Sequence, residues 1–395
     1  MPTLEWIGKS KVINHHQEVP FRVLERKYSF DENGEHSEDN GSDNMIIRGD
    51  NLEALKALLP RYEGRVKCIY IDPPYNTGNE GWVYNDNVND PKIKKWLGAV
   101  VGKEGEDLTR HDKWLCMMYP RLKLLQKLLA DDGVIFISID DTECSNLILI
   151  CNEIFGASNF VANVSWQRTY SPRNDSKGIV SEVEHLVVFS KNPGWQPNKL
   201  PRTEAMDSRY KNPDNDVAPW KSSDAFAPGA ATHQGMVYAI QHPFTGEMLY
   251  PSNGRCWRYQ QSSMLEYMQG WCNYRLENLH DEKERARVCG IDESAVRKDV
   301  LAIVLEEPLE VSAAKAQKVY NRGRWPGFYF TKGGYGGIAR KTYLENVGGR
   351  LPTNLWMYEE TGHTDEAKKE LISLFGGRSP FDTPKPCLLY TSPSP

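Results

Sequence analysis

The sequence predicts an α/β fold in which helices cover a parallel sheet, followed by a second region of mixed structure. Short apolar runs typical of buried strands alternate with longer segments that have apolar residues at helical spacing. From about residue 193 to 350 the pattern changes to turns, short strands and aromatic residues. With 395 residues, 39% of them hydrophobic, the chain is long enough for two or three domains and a sizeable core.

Residues 1–44 are expected to form an N-terminal arm that ends in an acidic linker. Residues 31–44 hold six acidic residues and no Lys or Arg, which favours a solvated linker or hairpin tip. The apolar run at 45–47 predicts a short strand. Gly49 and Asp50 then predict a turn, and the leucine spacing predicts a helix ending at Pro60.

Three further strands and a long helix are predicted before residue 192. The run VKCIYI (66–71) indicates a strand buried on both faces. A helix is expected from about Trp114 to Ala130, stopping at Asp131-Asp132-Gly133 before the strand GVIFISID. The run HLVVFS predicts a third strand of this kind, and a charged helix is expected within residues 281–307.

Composition narrows the class of protein. No stretch approaches 18 consecutive apolar residues and the N-terminus lacks a signal-peptide core, so we expect a soluble cytoplasmic protein without a membrane span. The eight cysteines are scattered, and none of the nine histidines has ligand spacing with them, so no structural zinc and no other metal is expected. The net charge of −5 argues against a protein that coats nucleic acid indiscriminately.

The segment Asp72-Pro73-Pro74-Tyr75 stands at the end of the VKCIYI strand, where open α/β sheets bind ligands. Two prolines stiffen the backbone. Asp72 and the Pro73 carbonyl can accept the two hydrogens of an exocyclic amine while Tyr75 stacks on the base. This arrangement would aim the amine lone pair at an electrophilic methyl group. The alternative is a proline turn with a capping Asp.

The motif DPPYNTG resembles motif IV of amino-methyltransferases that act on DNA. IIRGDNLEALKALLP lies upstream, WLCMMYPRLKLL and DGVIFISIDDTE lie downstream, and EHLVVFSK and FDTPKP follow. Together they resemble the adenine-specific modification subunit of type III restriction-modification systems. The resemblance implies a Rossmann-like class I methyltransferase sheet with an inserted mixed α+β DNA-recognition domain.

The same resemblance implies methyl transfer from S-adenosylmethionine to the N6 amine of adenine in double-stranded DNA, with the base flipped out of the duplex. A restriction subunit and a second copy of the chain are possible partners. N4-cytosine methylation stays open, since cytosine offers the same kind of amine. A non-catalytic DNA-recognition subunit with a vestigial DPPY loop is the other alternative.

The resemblance places Asp50 and three residues of the FDTPKP segment, Thr383, Lys385 and Pro386, near the cofactor. Asp50 could meet the cofactor's amino group, but an Asp at this position is also a typical helix N-cap. Lys385 would supply a point charge for the methionine carboxylate, with a solvated lysine as the alternative.

Residues 311–350 hold eight Lys or Arg against the single Glu345. We expect this stretch to contact DNA phosphates, which position a protein without specifying sequence. The candidate residues are Arg322, Arg324, Lys332, Arg340 and Lys341. A solvated basic face is the alternative. Target choice is expected from residues between about 163 and 350.

A glycine-rich D-x-F-x-G-x-G loop, expected in the family after T-P-K-P, does not occur in the chain. The last nine residues, CLLYTSPSP, predict neither a strand nor a helix and suggest a non-native tail on a C-terminally truncated product. The sheet would then lack its cofactor-loop strands, and strand 66–71 would be an exposed edge. We expect weak cofactor binding and aggregation.

These inferences predict five parts: the arm at 1–44, a catalytic half at 45–192, a target-recognition domain at 193–350, the start of the cofactor-binding half at 351–386, and the tail at 387–395. A competing dehydrogenase interpretation rests on GYGGIA (334–339), which fits G-x-G-x-x-A, with Glu359 about twenty residues further on.

Overall fold

The computed structural model describes residues 3–77, 95, 98–99, 110–171, 178–381 and 383–391. The chain forms two compact units. The first, here called the α/β unit, comprises Met1–Asn198 and Leu351–Pro395, and the second, the inserted unit, comprises Lys199–Arg350. The NTG half of the DPPYNTG motif lies partly outside the described residues, from Gly78 onward.

The elements of the α/β unit up to residue 190 are α1 (Lys9–Val12), α2 (His15–Glu18), β1 (Ser29–Asp31), β2 (Gly34–His36), α3 (Asn51–Tyr62), β3 (Val66–Ile71), α4 (Arg110–Leu128), β4 (Leu129–Ile139), α5 (Cys144–Phe155), β5 (Phe160–Gln167) and β6 (Val183–Ser190). The inserted unit contains α6 (Glu204–Asp207), β7 (Trp220–Asp224), β8 (Phe226–Pro228), β9 (Ile240–Gln241), β10 (Met248–Leu249), β11 (Arg255–Trp257), α7 (Gln261–Gln269), β12 (Tyr274–Glu277), α8 (Glu282–Cys289), β13 (Ala302–Leu305), α9 (Leu309–Arg322), β14 (Phe328–Phe330) and β15 (Ile338–Tyr343). The α/β unit resumes with β16 (Leu355–Trp356), α10 (Tyr358–Thr361), α11 (Thr364–Leu374) and α12 (Cys387–Thr391).

The main sheet has five strands in the order β16-β5-β6-β4-β3. β3 runs parallel to β4, and β16 runs parallel to β5, but β6 is antiparallel to both of its neighbours. The predicted parallel sheet is therefore wrong, and the sheet is mixed. Its α/β character agrees with the predicted fold class.

Both faces of the sheet are covered, because successive residues of β4 are buried on opposite faces. Ile135, Ile137 and Ile139 are fully buried in a core with residues of α3, α4 and α5. Each such side chain contributes roughly 1.5–3 kcal/mol of burial free energy. The alternate residue Val134 packs on the opposite face with Trp166. A strand buried on both faces reads as a continuous apolar run, which is why β4 could be predicted.

β3 behaves differently because it lies at the edge of the sheet among the described strands. Cys68 is exposed and the side chain of Lys67 is 70% exposed, so the expectation of burial on both faces is wrong for this strand.

Several predicted boundaries differ from the structure. Residues 45–47 form no strand, and Ile46 is fully exposed. α3 continues past Pro60 to Tyr62, and α4 begins at Arg110. Of the tail residues 387–395, expected to form neither strand nor helix, Cys387–Thr391 form α12, and Leu389 is buried against the Val134 face of the sheet; residues 392–395 lie outside the described residues.

The inserted unit is built from small sheets around an aromatic core that includes Trp220, Trp257, Trp271 and Phe328. The predicted charged helix is shorter than expected, because α8 ends at Cys289 and residues 302–305 form β13. Residues 334–339 follow β14 and enter β15, which is antiparallel to it. A dinucleotide-binding loop needs a helix at that position, so the dehydrogenase interpretation is wrong.

None of the helices in the described ranges is long and apolar enough to cross a membrane.

Candidate active site

The DPPY loop, Asp72 to Tyr75, begins where β3 ends. The indole Nε1 of Trp114, a fully buried residue of α4, donates a hydrogen bond to the Pro74 carbonyl at 2.7 Å. The prolines restrict the backbone angles of the loop, and this bond fixes the orientation of one peptide plane. The loop is therefore held both by its own residues and by α4.

Asn76 fixes the end of the loop. It is fully buried and has a φ of 61°, in the left-handed region that Asn tolerates better than most residues. Its amide donates to the buried carboxylate of Glu143 and to the Arg110 carbonyl, the latter at 3.2 Å. His111 contacts the same Glu143 carboxylate at 2.7 Å. The chain thus turns sharply after Tyr75.

Four charged residues surround Tyr75: Asp72, Arg168, Glu184 and Lys385. The Tyr75 hydroxyl donates to Glu184 Oε2 at 3.1 Å, and Arg168 donates to Glu184 Oε1 at 3.1 Å. The Lys385 ammonium lies 3.2 Å from Asp72 Oδ2 and 3.2 Å from Glu184 Oε2. It also lies over the Tyr75 ring, 5.0 Å from the centroid.

Burial, together with the negative charge of Glu184, raises the pKa of Tyr75 far above its ordinary value. Tyr75 therefore keeps its proton and acts as a donor to Glu184. This bond fixes the hydroxyl end of the ring.

The predicted cofactor residues differ from one another in their contacts and burial. Asp50 is the N-cap of α3 and accepts from the backbone N–H groups of Leu52 at 2.9 Å and Glu53 at 3.2 Å, so the N-cap alternative is confirmed. Lys385 has a side chain only 9% exposed, so the solvated-lysine alternative is wrong. Of the neighbouring predicted residues, Thr383 is exposed and Pro386 is buried.

Residues that sequence reasoning missed support the loop: Trp114, Glu143, Glu184 and Arg168. Trp114, Glu143 and Glu184 belong to the segments WLCMMYPRLKLL, DGVIFISIDDTE and EHLVVFSK of the family resemblance, whereas Arg168 lies outside all of them. His185 Nε2 contacts Asp141 Oδ1 at 2.8 Å. Asp140 accepts from the Thr142 backbone and hydroxyl, and burial raises its pKa.

The predicted DNA-contact residues do not form one exposed group. Arg322, Arg324 and Lys332 are exposed, and Arg340 is half-buried. Lys341 is buried, with its ammonium 2.5 Å from both Asp214 Oδ2 and Asp216 Oδ2 and 2.7 Å from the Trp325 carbonyl. The prediction that Lys341 contacts phosphate is therefore wrong, because its charge is satisfied inside the inserted unit.

Within the ranges that the structure describes, no group of three or more His, Cys, Asp and Glu side chains is arranged to hold a metal ion.

The mixed α/β sheet with the DPPY motif at the end of β3 agrees with the class that the motif resembles, the DNA amino-methyltransferases. The chain belongs to the N6_N4_Mtase family, described as DNA methylase, whose model matches residues 66–393. The family resemblance inferred from the sequence is thereby confirmed.

Similar curated proteins come from several bacteria and a phage. The StyLTI Mod subunit, part of a type III restriction-modification enzyme of Salmonella typhimurium strain LT2, is 30% identical over 369 residues, which are 89% of this chain and 46% of that protein. The EcoPI Mod subunit of a type III enzyme of Escherichia phage P1 is 38% identical over 202 residues, 48% of this chain and 30% of that protein. The type II methyltransferase M.KpnI of Klebsiella pneumoniae is 33% identical over 166 residues, 42% of this chain and 37% of that protein. This chain thus spans less than half the length of each.

Proposed function

We propose that the chain belongs to a site-specific DNA methyltransferase that transfers a methyl group from S-adenosylmethionine to the N6 amine of adenine in double-stranded DNA. The observation that supports this most directly is the geometry of the DPPY loop. Trp114 holds it at Pro74, Glu143 holds it at Asn76, and Glu184 holds the Tyr75 hydroxyl. A loop fixed at three points can hold an amine in one orientation, which is the main requirement for this reaction.

In the proposed complex, the Asp72 carboxylate and the Pro73 carbonyl accept the two N–H groups of the target amine, and the base stacks on Tyr75. The negative charge of Asp72 stabilises the positive charge that develops on the amine nitrogen. Because the amine of a paired adenine lies inside the base stack, the base must leave the duplex to reach the loop.

When bound, S-adenosylmethionine supplies the electrophilic methyl group. Asp50 fits its amino group, because the side chain is exposed and a single carboxylate oxygen, Oδ1, makes both capping bonds. Lys385 fits the cofactor's carboxylate less well than expected, because its ammonium already lies between two carboxylates. Thr383 and Pro386 stay predictions as cofactor contacts.

The inserted unit is proposed to recognise the target sequence. Arg322, Arg324 and Lys332 offer exposed cations for DNA phosphates. Two of the similar proteins are Mod subunits of type III restriction-modification enzymes, which supports a role as the modification part of such an enzyme and a restriction subunit as a partner. A homodimer stays a prediction.

The test is transfer of radiolabelled methyl groups from S-adenosylmethionine to unmethylated DNA by the full chain, with mass spectrometry of the digested nucleosides. We expect N6-methyladenine, whereas N4-methylcytosine would select the cytosine alternative. Asp72→Asn should abolish transfer and keep DNA binding and the circular dichroism spectrum, because Asn lacks the negative charge. Asp131→Asn, an exposed change at the other end of the sheet, is the matched control. Full activity of Asp72→Asn would contradict the proposal.

A further inference from the structure

The position of the Lys385 ammonium is the most informative feature of the site. It forms ion pairs with Asp72 and Glu184, with N···O distances of 3.2 Å each, and lies over the face of Tyr75. The side chains of Lys385 and Glu184 are 9% and 10% exposed, whereas that of Asp72 is 39% exposed, so the contact is enclosed on the side of Glu184 and open on the side of Asp72. Enclosed charge-assisted hydrogen bonds are stronger and more specific than those on a surface.

The ammonium uses the partners that the proposed target amine requires. An amine bound to the DPPY loop donates to Asp72 while its base stacks on Tyr75. A nitrogen 3.2 Å from Asp72 and 5.0 Å from the Tyr75 centroid already lies in that space. The lysine occupies Asp72 Oδ2 and covers one face of the Tyr75 ring, so a base that stacks on that face with its amine on the same oxygen must displace it.

The ammonium also resembles the amine at the moment of methyl transfer. It is tetrahedral and positively charged, as the amine nitrogen becomes when it accepts a methyl group. Two carboxylates and an aromatic face are a favourable environment for such a nitrogen. The site is therefore complementary to a cationic nitrogen, and Glu184 contributes to this as much as Asp72 does.

We infer that Lys385 occupies the amine-binding position of the DPPY loop, that Glu184 is the second carboxylate of this position, and that an entering target amine displaces the lysine. This inference rests on the proposed function. With Lys385 in place, the cations Lys385 and Arg168 balance the carboxylates Asp72 and Glu184. Once the ammonium leaves, one negative charge is in excess, which favours the positive charge growing on the amine.

The contact is tested by brief labelling of the full chain with acetic anhydride, followed by mass spectrometry. Lys385 should be acetylated much more slowly than Lys67, whose side chain is 70% exposed. Glu184→Gln should raise the labelling of Lys385 several-fold without changing that of Lys67. Equal labelling of the two lysines in the unmodified chain would overturn the inference.

Displacement is tested by adding a single-stranded oligonucleotide that contains one adenine, and a matched one in which purine, which lacks the amine, replaces the adenine. The adenine oligonucleotide should raise the labelling of Lys385 and the purine one should not. Equal effects of both, or no effect of either, would overturn displacement. If displacement fails while methyl transfer succeeds, only this inference is wrong; if both fail, the amine site itself is rejected.

A second measurement uses Lys385→Met, which keeps the length of the side chain and removes its charge. Fluorescence anisotropy gives the affinity of the variant for each of the two oligonucleotides. Removing a lysine weakens the attraction to phosphate equally for both, so the ratio of the two affinities is unaffected by it. Removing the internal competitor should raise the adenine-to-purine ratio by about fivefold. An unchanged or lower ratio in the variant would contradict the inference.

Discussion

Replacing Lys341 with Met should destabilise the inserted unit strongly. The ammonium lies 2.5 Å from Asp214 and from Asp216, and the side chains of Lys341 and Asp214 are fully buried. Met fills a similar volume without a charge, so Lys341→Met leaves two enclosed carboxylates without their cation. Removing one partner from a buried ion pair costs about 3–5 kcal/mol.

The other contacts of the carboxylates show why they cannot simply turn to solvent. Asp214 also accepts from the Trp220 indole at 2.8 Å and from the Trp325 backbone at 2.7 Å. Burial opposes ionisation of Asp216, but hydrogen bonds from Lys341 and Tyr343 outweigh it and lower its pKa. Without Lys341, the folded-state pKa of Asp216 rises, because the cation that lowers it is gone. The deficit should therefore be largest at neutral pH and shrink as Asp216 becomes protonated at lower pH.

The assay is hydrogen exchange of the full chain at increasing urea concentration, read by mass spectrometry on the peptide that contains β15. A loss of this size should lower the protection of β15 amides more than about a hundredfold. Lys318→Met, a change of an exposed lysine in the same unit, should shift the free energy of opening by less than about 0.5 kcal/mol. Adding Asp214→Asn to Lys341→Met should recover part of the loss. If Lys341→Met lowered the free energy of opening by less than about 1 kcal/mol, the assignment of a buried ion pair would be refuted.

Three further outcomes are expected. Asp50→Ala should cost about 1 kcal/mol in thermal or urea unfolding, because it removes the N-cap of α3, whereas Asp50→Asn should retain most of that stability. Arg322→Ala should lower the salt dependence of DNA binding, the slope of log K against log salt, by about 0.9 without changing the preferred sequence, and an unchanged slope would remove this residue from the DNA contact. Burial, reinforced by the charges of nearby lysines, lowers the pKa of His16. The folded state therefore loses stability as the pH falls from the ordinary His pKa of 6.5 towards the folded-state pKa. His16→Gln should remove that part of the pH dependence, which urea unfolding between about pH 7.5 and 5.5 measures.

The parts of the fold that could be predicted are those determined by local sequence. α3, α4 and β4 were predicted because leucine spacing and apolar runs depend on neighbouring residues only. The direction of β6 could not be predicted, since an apolar run shows that a strand is buried but not which strands pair with it. The exposure of Cys68 in β3 depends in the same way on its place at the edge of the sheet.

The same distinction holds for the site. The residues Asp72 to Tyr75 were predicted because four adjacent positions define the motif. The contacts that hold them come from far along the chain: Trp114 is 40 residues from Pro74, and Glu184 is 109 residues from Tyr75. No local pattern brings such residues together, so the position of Lys385 against Asp72 required the structure.

The basic stretch at 311–350 shows how a charge count can overstate a binding surface. Lys341 is neutralised by Asp214 and Asp216, and Lys315 pairs with Glu307, all three carboxylates lying outside the counted stretch. Of the five predicted phosphate contacts, Arg322, Arg324 and Lys332 are exposed. Three phosphate contacts account for a salt slope of roughly −2.7. A measured slope much steeper than this would show that DNA also contacts cations outside the predicted group, and the search for them would then move to other exposed lysines and arginines of the chain.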